Sequence, residues 1–102
     1  GNCQMLYFPD PNGEIFLETD ASDYGIGAYL YQKGDELDEQ GIQIQKPIAF
    51  ISKNLVDAQL RWSTPEKEAY GIFYAITHLE HLLRDVHFVL RTDHKNLTYI
   101  NC

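Results

Sequence analysis

Two tetrapeptides in this chain share the pattern Leu-x-Thr-Asp, and each closes an apolar run. Leu17-Glu18-Thr19-Asp20 follows Ile15-Phe16, and Leu90-Arg91-Thr92-Asp93 follows Val86-His87-Phe88-Val89. Runs of bulky β-formers read as buried strands. Laid side by side and parallel, two such strands release both aspartates at the carboxyl edge of a sheet, where open α/β sheets carry their active sites. Two carboxylates converging there repel each other unless a cation sits between them. Glu68 adds a third acid. Positions 68, 72, 75 and 79 fall on one helical stripe, and its other members, Ile72, Ala75 and Leu79, are apolar. A carboxylate at the end of a buried stripe is costly unless a cation or hydrogen bonds receive it. Asp20, Glu68 and Asp93 together suit hard, oxygen-seeking Mg²⁺. No His/Cys cluster has zinc spacing. Each acid alone has a plainer use: an Asx-turn at Asp20, a helix cap at Asp93, a favourable dipole contact at Glu68. Their joint arrival at one expected edge argues for a site.

The elements that must position them are legible from patterning. Pro9-Asp10-Pro11-Asn12-Gly13 closes a turn-rich lead-in over residues 1–13. A strand runs to Asp20, Ala21 to Gly25 turns the chain, and Ile26 to Gln32 reads as the next strand. An acidic loop from Lys33 to Gly41, holding Asp35, Glu36, Asp38 and Glu39, leads into a third strand from Ile42 to Ile51. The loop lacks the spacing and glycine of a calcium-binding EF-hand, so it reads as a solvated hairpin tip. Pro47 cannot donate to a ladder, which puts the third strand on an edge. Ser63-Thr64-Pro65-Glu66 starts a helix, either with Thr64 capping and Pro65 first, or with Ser63 and Glu66 as a capping box. The helix is expected to run to about Arg84, with Ala69, Ile72, Phe73, Ile76, Leu79 and Leu83 as its core face. A fourth strand covers Val86 to Thr92, and a short helical tail is expected from about Lys95. The order β-β-β-α-β-α gives a three-strand antiparallel meander, a crossover helix and a parallel fourth strand.

At 102 residues the chain fits one domain, and 44% apolar residues with five Phe, seven Tyr and one Trp supply a core. Cys3 and Cys102 read as free terminal thiols. No stretch approaches a membrane span, and no signal peptide is visible. Opening on Gly-Asn with its only Met at position 5, the sequence reads as part of a longer polypeptide. The net charge is −7, with eight Lys and Arg against fifteen Asp and Glu. A stand-alone nucleic-acid binder carries a basic face. Lys53, Arg61 and Lys95 are available for phosphate contacts or simply solvated, and Trp62 reads as a hydrophobic staple at the helix start.

Four blocks carry a resemblance. Thr19-Asp20-Ala21-Ser22-Asp23-Tyr24-Gly25-Ile26-Gly27-Ala28 resembles the opening of the RNase H domain in reverse transcriptases of gypsy-type LTR retrotransposons. Pro47 to Lys53 resembles its third strand and exit, Trp62 to Ala69 its first helix, and Arg91 to Leu97 its fourth strand and turn. The blocks occur in the family order and span about residues 14 to 101. The resemblance implies a ribonuclease H-like α/β mixed sheet and hydrolysis of the RNA strand of an RNA–DNA hybrid. It implies two Mg²⁺ or Mn²⁺ ions held by Asp20, Glu68 and Asp93, one activating water in line with the scissile phosphate and the other stabilising the leaving 3′ oxygen. Partners implied are the hybrid and the adjacent polymerase and connection domains of a polyprotein, in the cytoplasm or a virus-like particle. The family also takes a fourth acidic residue, or a histidine, from a later helix. The sequence ends before that helix and before the family's fifth strand, so the isolated chain is expected to cleave poorly. The competing expectations are a non-catalytic RNase H-like connector or host-adopted binding module, and a transposase or integrase. In the latter the catalytic glutamate follows the second aspartate, whereas Glu68 precedes Asp93.

Overall fold

The computed structural model describes residues 4–5, 13–92 and 97–101. Its strands are β1 (Gln4–Met5), β2 (Glu14–Ala21), β3 (Gly25–Leu37), β4 (Gln43–Asn54), β5 (His87–Arg91) and β6 (Leu97–Asn101), with one helix, α1 (Thr64–Leu83). A short 3₁₀ turn over Asp57–Arg61 joins β4 to α1. The strands form one mixed sheet in the order β1-β4-β3-β2-β5-β6. β2, β3 and β4 make the antiparallel meander, and α1 crosses over to β5, which pairs with β2 in parallel. This is the α/β architecture expected from the sequence.

Alternation along β2 sorts the two faces. Ile15, Leu17 and Thr19 are buried against the helix side, and Phe16, Glu18 and Asp20 take the other side. Ile26, Ala28 and Leu30 from β3, Ile51 from β4, and Phe88 and Leu90 from β5 complete the helix-side core with Ala75, Leu79 and Leu83. On the far face Tyr31 is fully buried between Phe16 and Tyr29, with ring centroids 5.2 and 5.0 Å away.

Several expectations are corrected. The last segment is a strand: β6 pairs antiparallel with β5, where a helical tail, and a sheet ending at its fourth strand, were expected. Leu97-Thr98-Tyr99-Ile100 is rich in β-formers, and the open edge of β5 offers an unpaired ladder. The core face of α1 is also turned. Its buried residues are Lys67, Gly71, Tyr74, Ala75, Leu79 and Leu83, with Ile72 and Ile76 at the flanks. Phe73 is 65% exposed and Ala69 faces outward. Small residues at 71 and 75 let the helix axis approach the sheet closely, a gain that outweighs burying Phe73. A Cβ added at Gly71 would lie 3.6 Å from Ile26 and 3.9 Å from the Asp20 carbonyl oxygen.

Other details follow local chemistry. β3 runs five residues beyond Gln32, so the acidic segment is mostly strand, and the Asp38 carboxylate caps the tip by accepting from the Gln40 and Ile42 amides. In β4, Tyr31 pairs with Pro47 and Leu30 with Ala49, so Ile48 is the extra residue of a bulge beside the proline. The third strand was expected on an edge, but β1 pairs with the outer side of β4 at Ala49 and Phe50, so β4 is the second strand of the sheet; Pro47 falls outside that pairing among the described residues. At the helix start Ser63 Oγ accepts from the Glu66 amide, and the Glu66 carboxylate accepts from the Ser63 amide, so the capping box is the arrangement adopted. Asp85, with φ +58°, turns the chain out of α1 in the left-handed region. The lead-in over residues 6–12 and both cysteines lie outside the described residues.

Candidate active site

The two Leu-x-Thr segments lie in step. Leu17 pairs with Leu90 and Glu18 with Arg91 across the parallel β2–β5 ladder. The variable position of the repeat is therefore an acid facing a base. Asp20 ends its segment at the carboxyl edge of β2, exposed to solvent. Glu68 sits in the second turn of α1, half-buried, one turn before Gly71, which backs onto the Asp20 carbonyl. The first turns of α1 and the end of β2 thus share one edge of the fold. Asp93 lies outside the described residues, immediately after Thr92. Among the described residues no three His, Cys, Asp or Glu side chains cluster as a metal site.

A cleft of about 600 Å³ opens at this edge on the sheet face away from α1. Asp20, Ser22, Gly27, Ser52, Lys53, Asn54, Arg91 and Thr92 line it, together with Glu18, Tyr29 and Phe50. Sheet register orders these residues in rows. Asp20 pairs with Gly27 and Gly27 with Ser52; beside that row run Arg91, Glu18, Tyr29 and Phe50. Gly27 leaves the floor bare between Asp20 and Ser52, since only the Ile51 carbonyl, at 3.7 Å, would meet a Cβ there. Glu68 is not among the residues lining this cleft.

Arg91 is held in place. One of its Nη groups donates to the Tyr31 hydroxyl at 3.0 Å. Burial raises the Tyr31 phenol above its ordinary pKa, and the hydrogen-bonded Glu18 carboxylate raises it further, against the opposing pull of Arg91. The phenol bond raises the Arg91 pKa in turn. Burial, then the Glu18 charge, raises Tyr29 as well. The far face of the sheet therefore carries a neutral, hydrogen-bonded Tyr31 linking an acid and a base.

The turn that follows Asp20 is tied at several points. The Ser22 amide donates to the Gly25 carbonyl at 2.8 Å, Ser22 Oγ accepts from the Tyr24 and Gly25 amides, and the Leu55 amide donates to the Tyr24 carbonyl at 2.8 Å. Lys67, buried, donates from Nζ to the Asp23 carbonyl at 3.0 Å. Sequence patterning pointed to neither Lys67 nor the Glu18–Tyr31–Arg91 group. The signals were present: Lys67 shares an i, i+4 stripe with Gly71, Ala75 and Leu79, and the repeat differs by opposite charges at its second position.

Comparison with known proteins settles the family. Residues 10–102 match the model of the RNase H-like domain found in reverse transcriptase. The chain belongs to this family. It is 34% identical over 99 residues to the retrovirus-related Pol polyprotein from transposon 412 of Drosophila melanogaster, covering 97% of this chain and 7% of that protein. It is similarly related to the Pol polyprotein from transposon 297 of the same organism, 34% identical over 97 residues, 95% of this chain and 8% of that protein. The Tf2-3 transposon polyprotein of Schizosaccharomyces pombe is 37% identical over 90 residues, 86% of this chain and 6% of that protein. The RNase H-like domain described here thus spans less than a tenth of the curated polyproteins it matches.

Proposed function

We propose that this domain is the ribonuclease H part of a retrotransposon reverse transcriptase, hydrolysing the RNA strand of RNA–DNA hybrids with Asp20, Glu68 and Asp93 as its metal-holding acids. One observation carries the reading above the rest: the two Leu-x-Thr segments run parallel and in step, at the edge against which the first turns of α1 are packed. Family membership supports the same chemistry. The donor set fits Mg²⁺ or Mn²⁺, because carboxylate oxygens are the ligands such ions prefer and the helix-borne acid is partly shielded from water. When bound, such ions would supply Lewis-acid activation of water and charge stabilisation at the scissile phosphate.

The chain's own residues have the remaining work. Asp20 is carried by a strand and Glu68 by a helix, so the junction between β2 and α1 would set the separation of the two carboxylates. The bare backbone at Gly27 allows a sugar–phosphate strand to come close to Asp20. Lys53 and Arg91 flank the cleft with positive charge in a chain of net charge −7, which offsets repulsion of a phosphodiester locally. Flanking polymerase and connection domains are the expected source of further grip on the hybrid.

The test is cleavage of a labelled RNA–DNA hybrid by the complete parent enzyme with Mg²⁺, with single-stranded RNA and duplex DNA as controls. Glu68→Gln should remove nearly all activity while the protein still folds, because glutamine keeps the shape and loses the charge. A fully active Glu68→Gln parent rejects the assignment. The alternative of a non-catalytic connector or binding module draws on one observation: Trp62, Ala69, Tyr70 and Phe73 line a shallow groove on the outward side of α1. An inactive parent whose cleavage is not restored by Mn²⁺ would favour it.

A further inference from the structure

Lys67 is the one charged side chain of α1 that is buried among the described residues, at 7% exposure. A buried ammonium is costly unless hydrogen-bonded, so its placement has to be maintained by a specific partner. That partner is the main chain of the turn after Asp20, through the 3.0 Å bond from Nζ to the Asp23 carbonyl. One turn further along the same stripe, Gly71 lies against the Asp20 carbonyl and Ile26. Two consecutive turns of α1 therefore grip the segment Asp20–Asp23, by contact at its start and by hydrogen bond at its end. Glu68 is the neighbour of Lys67 in sequence and lies between these two grips.

We infer that Lys67 is a positioning residue for the carboxylate site: its bond to the Asp23 carbonyl fixes the strand-borne Asp20 relative to the helix-borne Glu68. The inference deepens the ribonuclease reading and rests on it. Two ligands on separate elements bind an ion well only if their spacing is held before the ion arrives. Lys67 does this from outside the ligand set, as a residue that orients a metal ligand does, and losses of ten- to a hundredfold in affinity are usual when such support is removed. The Ser22 and Leu55 hydrogen bonds shape the turn internally and against β4. The bond from Lys67 Nζ runs instead from the turn to the helix that carries Glu68.

The test measures Mn²⁺ affinity of the 102-residue chain, well below the melting temperature of every variant, together with hydrogen exchange at the Ser22 and Gly25 amides without metal. Lys67→Met keeps the apolar stem and removes the donor. It should melt cooperatively, bind Mn²⁺ at least tenfold more weakly and exchange the turn amides faster. Lys67→Arg, which restores a cationic donor, should return affinity to within about threefold of the parent. A merely structural lysine would lower the melting temperature and leave affinity per folded molecule unchanged. A folded Lys67→Met chain with Mn²⁺ affinity within twofold of the parent overturns the inference. Should Lys67→Met not melt cooperatively, Lys67→Gln is judged by the same threshold. Asp20→Asn is the separate control. Mn²⁺ binding that survives Asp20→Asn overturns the carboxylate site itself, and the role of Lys67 with it; binding lost in Asp20→Asn but kept in Lys67→Met overturns Lys67 alone.

Discussion

Tyr31 shows how one side chain couples packing to charge. Its ring is enclosed by Phe16 and Tyr29, and its hydroxyl links Arg91 to Glu18. The folded state raises the phenol's pKa, so its neutral form is the one the fold favours. The associated stability is fully present below the unfolded value of about 10 and is lost as the pH rises through the raised folded value. Tyr31→Phe should therefore lower stability at neutral pH by about 1–2 kcal/mol, the net worth of a part-buried hydrogen bond to a charged partner. It should also flatten the alkaline fall in urea-melt stability. An equally steep alkaline limb in Tyr31→Phe would place the titration elsewhere, with Tyr29 the next candidate. Glu66 has the opposite sign. Its bond from the Ser63 backbone amide, then that with the Ser63 hydroxyl, lowers its carboxyl pKa. That contribution is present above about pH 4.3 and is lost as the pH falls through the lowered value. Glu66→Gln should remove this acid-side dependence, and Ser63→Ala should cost about 1 kcal/mol through the lost cap. Thermal melts across pH 2–7 on both variants measure it.

Element packing explains the turned helix. α1 presents Gly71 and Ala75 to the sheet and leaves Phe73 in solvent. Gly71 has no unusual backbone angle, and a methyl group there meets only ordinary van der Waals distances. Gly71→Ala should therefore stabilise the domain by about 0.5–1 kcal/mol through helix propensity. Destabilisation instead would mean that the helix–sheet spacing tolerates no added volume. Gly27 presents the converse case. Gly27→Val should leave the melting temperature within a few degrees of the parent, since strand propensity offsets the added bulk, yet weaken hybrid binding by filling the cleft floor beside Asp20. Fluorescence anisotropy of a labelled hybrid against the parent enzyme reads this directly. Unchanged affinity would move the substrate path off that floor.

For the whole molecule, metal and charge act together. A cation that binds only the folded chain adds RT ln(1 + [L]/Kd), about 1.4 kcal/mol at ten times Kd. Mg²⁺ or Mn²⁺ should raise the melting temperature accordingly, and the Asp20→Asn/Asp93→Asn double variant should abolish that rise. It should also melt no lower than the parent without metal, because removing two like charges relieves repulsion. A metal-dependent rise that persists in the double variant would assign the ion to the acidic segment of the β3–β4 hairpin, where Glu36 already pairs with Lys46 at 3.2 Å.

The sequence by itself determined the strand–strand–strand–helix–strand order and the parallel placement of β2 and β5, and it narrowed the helix start to two caps, of which the fold adopts the capping box. Each of these is written in local patterning: apolar runs, a Ser-Thr-Pro-Glu start and a repeated tetrapeptide. It also named Asp20, Glu68 and Asp93, because acids at the ends of apolar runs are conspicuous. Tertiary structure decided what local pattern cannot encode. Hydrophobicity placed Phe73 inside the core, but helix–sheet distance is set by the smallest residues at the contact, so Gly71 and Ala75 turned the helix instead. The tail took strand structure because β5 offered an unpaired edge, a partner distant in sequence until the sheet forms. Lys67 reads as a surface residue until the fold brings the Asp23 carbonyl to its ammonium, 44 residues away. Glu18 and Arg91 were visible as charges, but only the parallel register made them neighbours with Tyr31 between them. Contacts between residues far apart in the chain depend on the loop closures and packing that create them, and those are properties of the folded whole.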